Sequence, residues 1–214
     1  MGRGVGRRPV APSNQVRIML AAHAVGLPAC AVIAHRVRRL VAATRERGRE
    51  HGLMVDADSG QQAGRLLVGE EKSVDLAPIL RLIRADREYV VVHTHTSDGP
   101  FSDADPLLLF LKPRVRAIVV VGARGTVYAM SRLPWWERPS FDALLQAYAD
   151  EFAALAAETA ETIAGGTMPR WRAECERVHR VWLRIGEPFG LLYTRAEVER
   201  RWTSRKRHTA ARSG

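Results

Sequence analysis

Two runs of β-branched residues most constrain the fold of this chain. Tyr89-Val-Val-Val-His93 and the segment from Val115 to Val121 are apolar along their length, which is typical of strands buried on both faces of a sheet. Loop-forming residues and a predicted helix from Ser102 to Phe110 separate them, with Pro106 tolerated in the first helical turn. A strand, a helix and a second strand in this order predict an α/β fold.

The neighbouring segments extend this alternation of strands and helices. Apolar residues at helical spacing predict a helix over residues 29–47, and strand-like runs at residues 51–57 and 65–68 predict a β-hairpin. A short helix is expected over residues 79–85, and a further strand over residues 126–130. The expected fold class is therefore α/β, with a mixed β-sheet flanked by helices.

Composition divides the chain into four predicted parts. Residues 1–13 contain three glycines, three arginines and two prolines, which is typical of a disordered basic arm. Residues 14–133 form the predicted α/β domain, residues 134–203 a helical C-terminal extension, and residues 204–214 a basic tail. The extension is predicted to contain three helices, at residues 141–164, 170–185 and 195–202.

The two cysteines and the hydropathy of the chain bear on its compartment. Cys30 and Cys175 lie far apart and belong to no Cys-x-x-Cys pair, which favours a reducing compartment without a disulfide framework. No uninterrupted apolar run approaches the roughly 18 residues that a membrane helix needs. Residues 27–30 resemble a lipoprotein cleavage box, but Arg17 and His23 interrupt the apolar stretch before it. We therefore expect a cytoplasmic protein that makes no contact with membranes.

The net charge of +10 comes almost entirely from arginine, since only three of the 33 basic residues are lysines. Such a charge favours encounters with anionic partners, among them nucleic acid, anionic lipid and acidic protein. A compositional bias combined with basic termini explains the charge equally well. Nucleic acid is therefore an open candidate partner, and the sequence does not indicate an oligomeric state.

Four polar residues at and after the end of the first buried strand are candidates for metal binding or catalysis. His93 and His95 are two apart, so a strand projects both imidazoles to the same side, and Ser102 and Asp105 are three apart, so a helix places them on one face. Two alternatives stay open: the histidines can be half-exposed residues at a strand end, and Ser-x-x-Asp can be a helix-capping box. The two patterns occurring together favour a metal site.

The chemistry of these side chains favours zinc as the cofactor. Two imidazoles from His93 and His95, with Asp105 as the third ligand, form a donor set suited to Zn²⁺. Three protein ligands leave a fourth position for water, which is typical of catalytic rather than structural zinc. Water bound there ionises near pH ~7 and becomes a nucleophile.

The order strand, His-Thr-His, Gly/Pro loop, Ser-x-x-Asp and helix resembles the JAMM (MPN+) zinc metalloprotease motif, in particular that of prokaryotic and phage JAB-domain proteins. The resemblance covers residues 30–132. It departs from the motif at Thr96, where the family usually has proline, and in a spacer of six residues between His95 and Ser102. It implies a cytidine-deaminase-like JAMM core within the α/β fold.

The resemblance also implies residue roles. His93, His95 and Asp105 correspond to the zinc ligands, and Ser102 to a hydrogen-bond partner of the tetrahedral intermediate. The family has a glutamate near the start of the first strand that moves the proton of the attacking water, and Glu50 lies at that position. Three other acids, or a purely solvated role for Glu50, stay open as alternatives; these acids are Glu46, Glu70 and Glu71.

These roles together predict a zinc-dependent metallopeptidase or isopeptidase. Its substrate would be a protein or peptide, with ubiquitin-like and small carrier proteins among the substrate classes that the resemblance suggests. The alternative is a non-catalytic JAMM-like module that docks protein or nucleic acid through a basic surface. A third interpretation is a component of a phage or toxin system in which the C-terminal helices form an assembly surface.

Overall fold

A six-stranded mixed sheet forms the centre of the fold in the part of the chain that the computed structural model describes, residues 21–27, 30–102, 104–134 and 139–196. The strands run in the order β2-β1-β3-β4-β5-β6. β3 and β4 are parallel, and all other neighbouring pairs are antiparallel. The strands are β1 (His51–Asp56), β2 (Gln62–Val68), β3 (Tyr89–His95), β4 (Val115–Gly122), β5 (Val127–Arg132) and β6 (Leu191–Ala196).

Helices cover both faces of this sheet. One face packs against the first long helix, and the other packs against the remaining helices. The helices are α1 (Cys30–Arg47), α2 (Ala77–Leu80), α3 (Ala104–Leu111), α4 (Phe141–Ala154), α5 (Ala156–Ala164) and α6 (Arg170–Ile185). The predicted fold class, α/β with a mixed sheet flanked by helices, is therefore confirmed.

Residues of β3 alternate between the two core layers because successive side chains of a strand point to opposite faces. Val90 and Val92 pack toward α1, whereas Tyr89 and Val91 pack toward α3 and the C-terminal helices. The same alternation directs the odd-numbered residues at the end of β3 toward α3. This alternation places the candidate ligands of β3 on the face that carries Asp105.

The C-terminal part of the chain differs from the sequence prediction in one element. The helix predicted over residues 195–202 is wrong at its start, since residues up to Ala196 belong to β6, which pairs with β5 in the register Ser131↔Leu192. Pairing with a strand about 60 residues earlier is decided by long-range contacts, which local periodicity does not report. Residues 197–203 lie outside the described residues.

Two further helix predictions differ in their bounds. The predicted helix over residues 141–164 is interrupted at Leu155, which ends α4 and precedes α5. The helix predicted over residues 79–85 is the single turn α2, which ends at Leu80. In both cases the local composition is compatible with a longer helix, so sequence periodicity does not indicate where the helix ends.

The predicted extension after residue 134 shares a core with the sheet. Leu144, Trp182 and Ile185 pack in one cluster with sheet residues such as Ile118 and Met130. The extension is therefore not purely helical and not separate from the sheet, because it also provides β6. The exact domain limits stay a prediction, and residues 1–13 and 204–214 lie outside the described residues.

Among the described residues, none of the helices combines the length and the apolar character required to cross a bilayer.

Candidate metal centre

His93 and His95 lie at the end of β3, between β1 and β4. His93 pairs with Gly52 of β1 and with Val120 of β4, and His95 pairs with Gly122 of β4. His93 is buried and His95 half-buried. The chain then forms a loop and enters α3, whose first turn contains Asp105, also buried. Two neighbouring elements thus deliver the three predicted ligands to one point.

The ligand atoms of these three residues converge. The two Nε2 atoms of His93 and His95 lie 3.2 Å apart, and Nε2 of His93 lies 3.0 Å from Oδ1 of Asp105. Tetrahedral zinc with Zn–N distances of about 2.0–2.1 Å holds two nitrogen ligands about 3.3 Å apart. All three donor atoms lie within 4.8 Å of one another, so this group can hold a metal ion.

A backbone carbonyl orients the imidazole of His95. Nδ1 of His95 donates a hydrogen bond to the Gly99 carbonyl oxygen at 3.3 Å, which leaves the lone pair of Nε2 for a metal. Nδ1 of His93 is buried and has no hydrogen-bond partner among the described residues. Both imidazoles therefore present Nε2 toward Asp105, and only His95 is oriented through its second nitrogen.

Asp105 uses its two oxygens differently. Oδ2 accepts hydrogen bonds from the backbone N–H of Ser102 at 2.6 Å and from its hydroxyl at 2.8 Å, and Oδ1 faces His93. The bond to the Ser102 N–H is one half of a capping box. The capping and ligand interpretations of Ser-x-x-Asp are therefore both compatible with the geometry, and the catalytic role of Ser102 stays a prediction.

Burial and mutual charge shift the pKa values of the three ligands. Burial lowers the pKa of His93, but Asp105 more than offsets this and raises it above the usual range. Burial by itself raises the pKa of Asp105, and His93 reverses the effect, so that this pKa is lowered. Burial and the neighbouring His93 lower the pKa of His95 to about 4. His93 and Asp105 thus favour a charged pair, whereas His95 favours the neutral form that binds metals.

Glu50 lies immediately before β1, where its backbone extends the pairing with the β2 side through hydrogen bonds to Glu70 and Gly69. Its side chain is buried, with 6% of the residue exposed. Burial raises the pKa of Glu50 to about 7, although His93 and the Thr96 backbone lower it. The carboxyl group is therefore available both to take and to give a proton near neutral pH.

An open cleft of about 1050 Å³ joins these residues. Glu50, Ser102 and the three ligands line it together, which brings every predicted site residue into one place. Among the alternative acids, Glu46 and Glu70 are exposed and lie outside the lining, whereas Glu71 is exposed within it. Four apolar residues that the sequence analysis did not single out form part of the walls: Val74, Leu76, Leu80 and Leu108.

A buried network of polar side chains between β3 and α1 was not predicted from the sequence. Thr94, between the two histidines, points to the opposite face, where its hydroxyl lies 2.6 Å from that of Thr44 in α1. The backbone N–H of His51 donates to the Thr94 hydroxyl at 2.9 Å, and Nδ1 of His51 lies 2.9 Å from the Thr44 hydroxyl. The alternation of β3 predicts the direction of Thr94 but not these partners.

Comparisons with protein families, with curated proteins and with solved structures found no match for this chain. The resemblance to the JAMM family therefore stays a prediction that depends on the residues of the motif. What is shown is a convergent group of two histidines and one aspartate, in an open cleft that also contains a buried glutamate.

Proposed function

We propose that this protein is a zinc-dependent metallopeptidase or isopeptidase of the JAMM type, with a cytidine-deaminase-like JAMM core. The observation that carries the proposal is the convergence of the donor atoms of His93, His95 and Asp105 beside the buried carboxyl group of Glu50. Structural metal sites are closed by four protein ligands, whereas three ligands facing an open cleft are typical of catalysis.

The donor set fits zinc better than a hard cation. Two imidazoles and one carboxylate suit Zn²⁺, whereas Mg²⁺ and Ca²⁺ prefer oxygen ligands. When bound, a zinc ion supplies Lewis-acid chemistry that polarises a carbonyl group and makes water acidic near neutral pH. His93 and His95 would hold it through Nε2, and Asp105 through its carboxylate.

Glu50 supplies the proton transfer in this proposal. A pKa of about 7 lets the carboxylate accept a proton from the attacking water and donate it to the leaving amine without a large energetic penalty in either direction. The backbone N–H and the backbone carbonyl of Glu50 both form hydrogen bonds, to Glu70 and Gly69, so the main chain that carries its side chain is held in place. Ser102 is the candidate donor to the oxyanion, a role in which its hydroxyl would turn from Oδ2 of Asp105, to which it donates in this structure, toward the substrate.

The volume and the lining of the cleft support a protein or peptide substrate. The half-buried Val74, Leu76, Leu80 and Leu108 line the cleft beside the polar residues of the site. Apolar walls with a few convergent polar groups are typical of sites that bind organic substrates. Within this proposal, a ubiquitin-like or small carrier protein is the substrate class that the resemblance suggests.

The test combines metal content with hydrolysis of a peptide library. We expect about one zinc per chain in the wild type, loss of the metal in His95→Ala and Asp105→Ala, and cleavage that requires zinc. Glu50→Gln should keep the metal and lower kcat by at least about 100-fold, because proton transfer contributes roughly 10²–10⁴-fold. Glu46→Gln, which changes an exposed acid of α1, is the matched control and should retain activity.

A well-folded protein that takes up no zinc would rule out this proposal. A protein that binds zinc but cleaves nothing, with Glu50→Gln indistinguishable from the wild type, would favour the binding-module alternative. The exposed arginines of α1, among them Arg38, Arg39 and Arg47, support that second candidate. Its diagnostic is nucleic-acid binding that weakens steeply with salt.

A further inference from the structure

The loop between the two halves of the candidate site is attached to the β4–β5 turn by several hydrogen bonds, and the side chain of Asp98 accepts three of them. Oδ1 of Asp98 accepts hydrogen bonds from the backbone N–H groups of Arg124 at 3.1 Å and Thr126 at 3.3 Å. Oδ2 accepts the hydroxyl of Thr126 at 2.5 Å, and the backbone carbonyl of Asp98 accepts the hydroxyl of Tyr128 at 3.1 Å. Four hydrogen bonds therefore fasten one loop residue to the neighbouring hairpin.

The approach of this loop to β4 requires a glycine. A Cβ atom at Gly122 would lie 2.1 Å from Oδ1 and 2.7 Å from Cα of Asp98, distances at which the loop would have to move. Gly122 is also the β4 partner of His95, so the contact occurs next to the candidate ligand. The following residue, Ala123, donates its N–H to the carbonyl groups of His95 at 2.9 Å and Ser97 at 3.2 Å.

The attachment reaches the imidazole of His95 through the next residue of the loop. Gly99 directly follows Asp98, and its carbonyl oxygen is the acceptor for Nδ1 of His95. This bond selects the tautomer that leaves Nε2 free for a metal. The backbone that carries the Gly99 carbonyl is thus anchored by the neighbouring side chain of Asp98, and also by a hydrogen bond from the Gly99 N–H to the Ser97 hydroxyl at 3.3 Å.

We propose that Asp98 is a positioning residue for the metal centre: by fastening the loop to the β4–β5 turn, it holds the Gly99 carbonyl where it orients His95. This inference rests on the proposed metal site but not on the hydrolytic activity. Outer partners of ligating histidines typically contribute 10–100-fold to metal affinity. Asp98 acts through Gly99 and Gly122 rather than by touching a metal or a substrate.

The chain contains a matched control for this role. Asp56 lies at the opposite end of β1 from Glu50, and its side chain also accepts three hydrogen bonds. The donors are the backbone N–H of Asp58 at 3.2 Å, the backbone N–H of Ser59 at 2.8 Å and the hydroxyl of Ser59 at 2.8 Å. Asp56→Ala therefore removes a comparable set of turn hydrogen bonds at the other end of β1, together with an ion pair to Arg87 at 3.4 Å, so its structural cost is at least as large. A purely structural role would make Asp98→Ala and Asp56→Ala behave alike.

The experiment measures the Zn²⁺ dissociation constant by chelator competition and the absorption spectrum of the Co²⁺-substituted full chain. We expect Asp98→Ala to weaken Zn²⁺ binding about 10–100-fold and to change the Co²⁺ spectrum, and Asp56→Ala to change neither. Wild-type affinity and spectrum in folded Asp98→Ala would overturn the inference. Equal losses in both variants would also overturn it.

Two milder substitutions keep the inference testable if the Asp98→Ala variant does not fold. Thr126→Val removes only the hydroxyl that Asp98 accepts, and Ser59→Ala removes the corresponding hydroxyl at Asp56. Weaker metal binding in Thr126→Val alone supports the positioning role, and equal affinities in both variants overturn it. A wild type that binds no Zn²⁺ would overturn the metal site and this inference together, whereas zinc binding without cleavage would contradict only the proposed activity.

Discussion

At the scale of single residues, a proton and a metal ion compete for Nε2 of His93, the nitrogen that faces Asp105. Asp105 raises the pKa of His93, so a proton on this imidazole persists to a higher pH than on an ordinary histidine. A metal binds only the neutral imidazole, so its binding must displace this proton. The affinity for zinc is therefore expected to rise as the pH increases through the pKa of His93.

Calorimetry can check this expectation directly. Titration of zinc at one pH in two buffers with different ionisation enthalpies reports the number of protons released, and we expect about one per bound zinc below the pKa of His93. Because the pKa of His95 lies near 4, His95 should add almost nothing to this number at neutral pH. Binding without proton release across the same pH range would contradict the assignment of His93 as a ligand.

Ser102 has a structural contact that can be separated from a catalytic one. Ser102→Ala removes the hydroxyl that donates to Asp105 at 2.8 Å but keeps the backbone N–H bond at 2.6 Å. We expect the free energy of unfolding to fall by about 1 kcal/mol, the usual net value of one hydrogen bond. Ser140→Ala, at the N-terminus of α4, removes another hydroxyl at a helix start and is the stability control.

A comparison of kcat between these two variants then isolates the catalytic role of Ser102. If the hydroxyl supports the oxyanion, Ser102→Ala should lower kcat by about 10²-fold or more, whereas Ser140→Ala should leave kcat unchanged. Equal kcat values in both variants would leave Ser102 with only its role in capping and in orienting Asp105.

At the scale of elements, sequence periodicity predicts some parts of this fold and misses others for a physical reason. The bounds of α6 at Arg170–Ile185 match the prediction, because an amphipathic helix is encoded by local spacing. β6 was missed because a strand at residues 191–196 depends on its pairing with β5. The interruption of the predicted helix at Leu155 was missed because no glycine or proline marks it.

The candidate site shows the same division between local and long-range information. His93, His95, Ser102 and Asp105 are close in sequence, and strand and helix geometry was sufficient to predict their proximity. For Asp98 the sequence indicates no more than a loop position, because its hydrogen-bond partners lie on another hairpin, nearly 30 residues later in the chain. Three of the four apolar wall residues likewise come from a separate segment, residues 74–80.

The contact between α6 and β6 makes a prediction about pH. Nδ1 of His179 in α6 lies 2.9 Å from the hydroxyl of Tyr193 in β6, while burial and then Arg195 lower the pKa of His179 to about 4, partly opposed by Glu176. The unfolded chain binds this proton near its ordinary pKa of about 6.5, so stability is fully present above that pH. It is lost as the pH falls from about 6.5 to about 4.

Urea unfolding between pH 7 and 4.5 tests this coupling. Replacing His179 with glutamine should make the loss of stability with falling pH shallower, by at most about 1.4 kcal/mol per pH unit. His35→Gln, an exposed histidine of α1, should leave the dependence unchanged. Identical slopes for the wild type and His179→Gln would show that the protonation of His179 is not linked to unfolding.

At the scale of the whole molecule, the central question is whether the C-terminal helices and the sheet with the candidate metal site unfold as one unit. Trp182 of α6 is only 4% exposed and packs with sheet residues in one cluster, its ring 5.2 Å from that of Tyr148 in α4. A shared core predicts a single cooperative transition, in which loss of packing in α6 also weakens retention of the metal. Independent units would instead unfold in separate steps.

Trp182→Ala discriminates between these two outcomes. Truncating a buried tryptophan typically costs about 3–5 kcal/mol, so we expect a large fall in the free energy of unfolding. Trp171→Ala is the matched control, because Trp171 is 44% exposed and its ring contacts Arg124. Unfolding in urea, followed in parallel by circular dichroism and by release of zinc to an indicator dye, should shift both signals together in Trp182→Ala. Early loss of helical signal with the zinc still bound would instead show that the sheet holds the metal centre without the C-terminal helices.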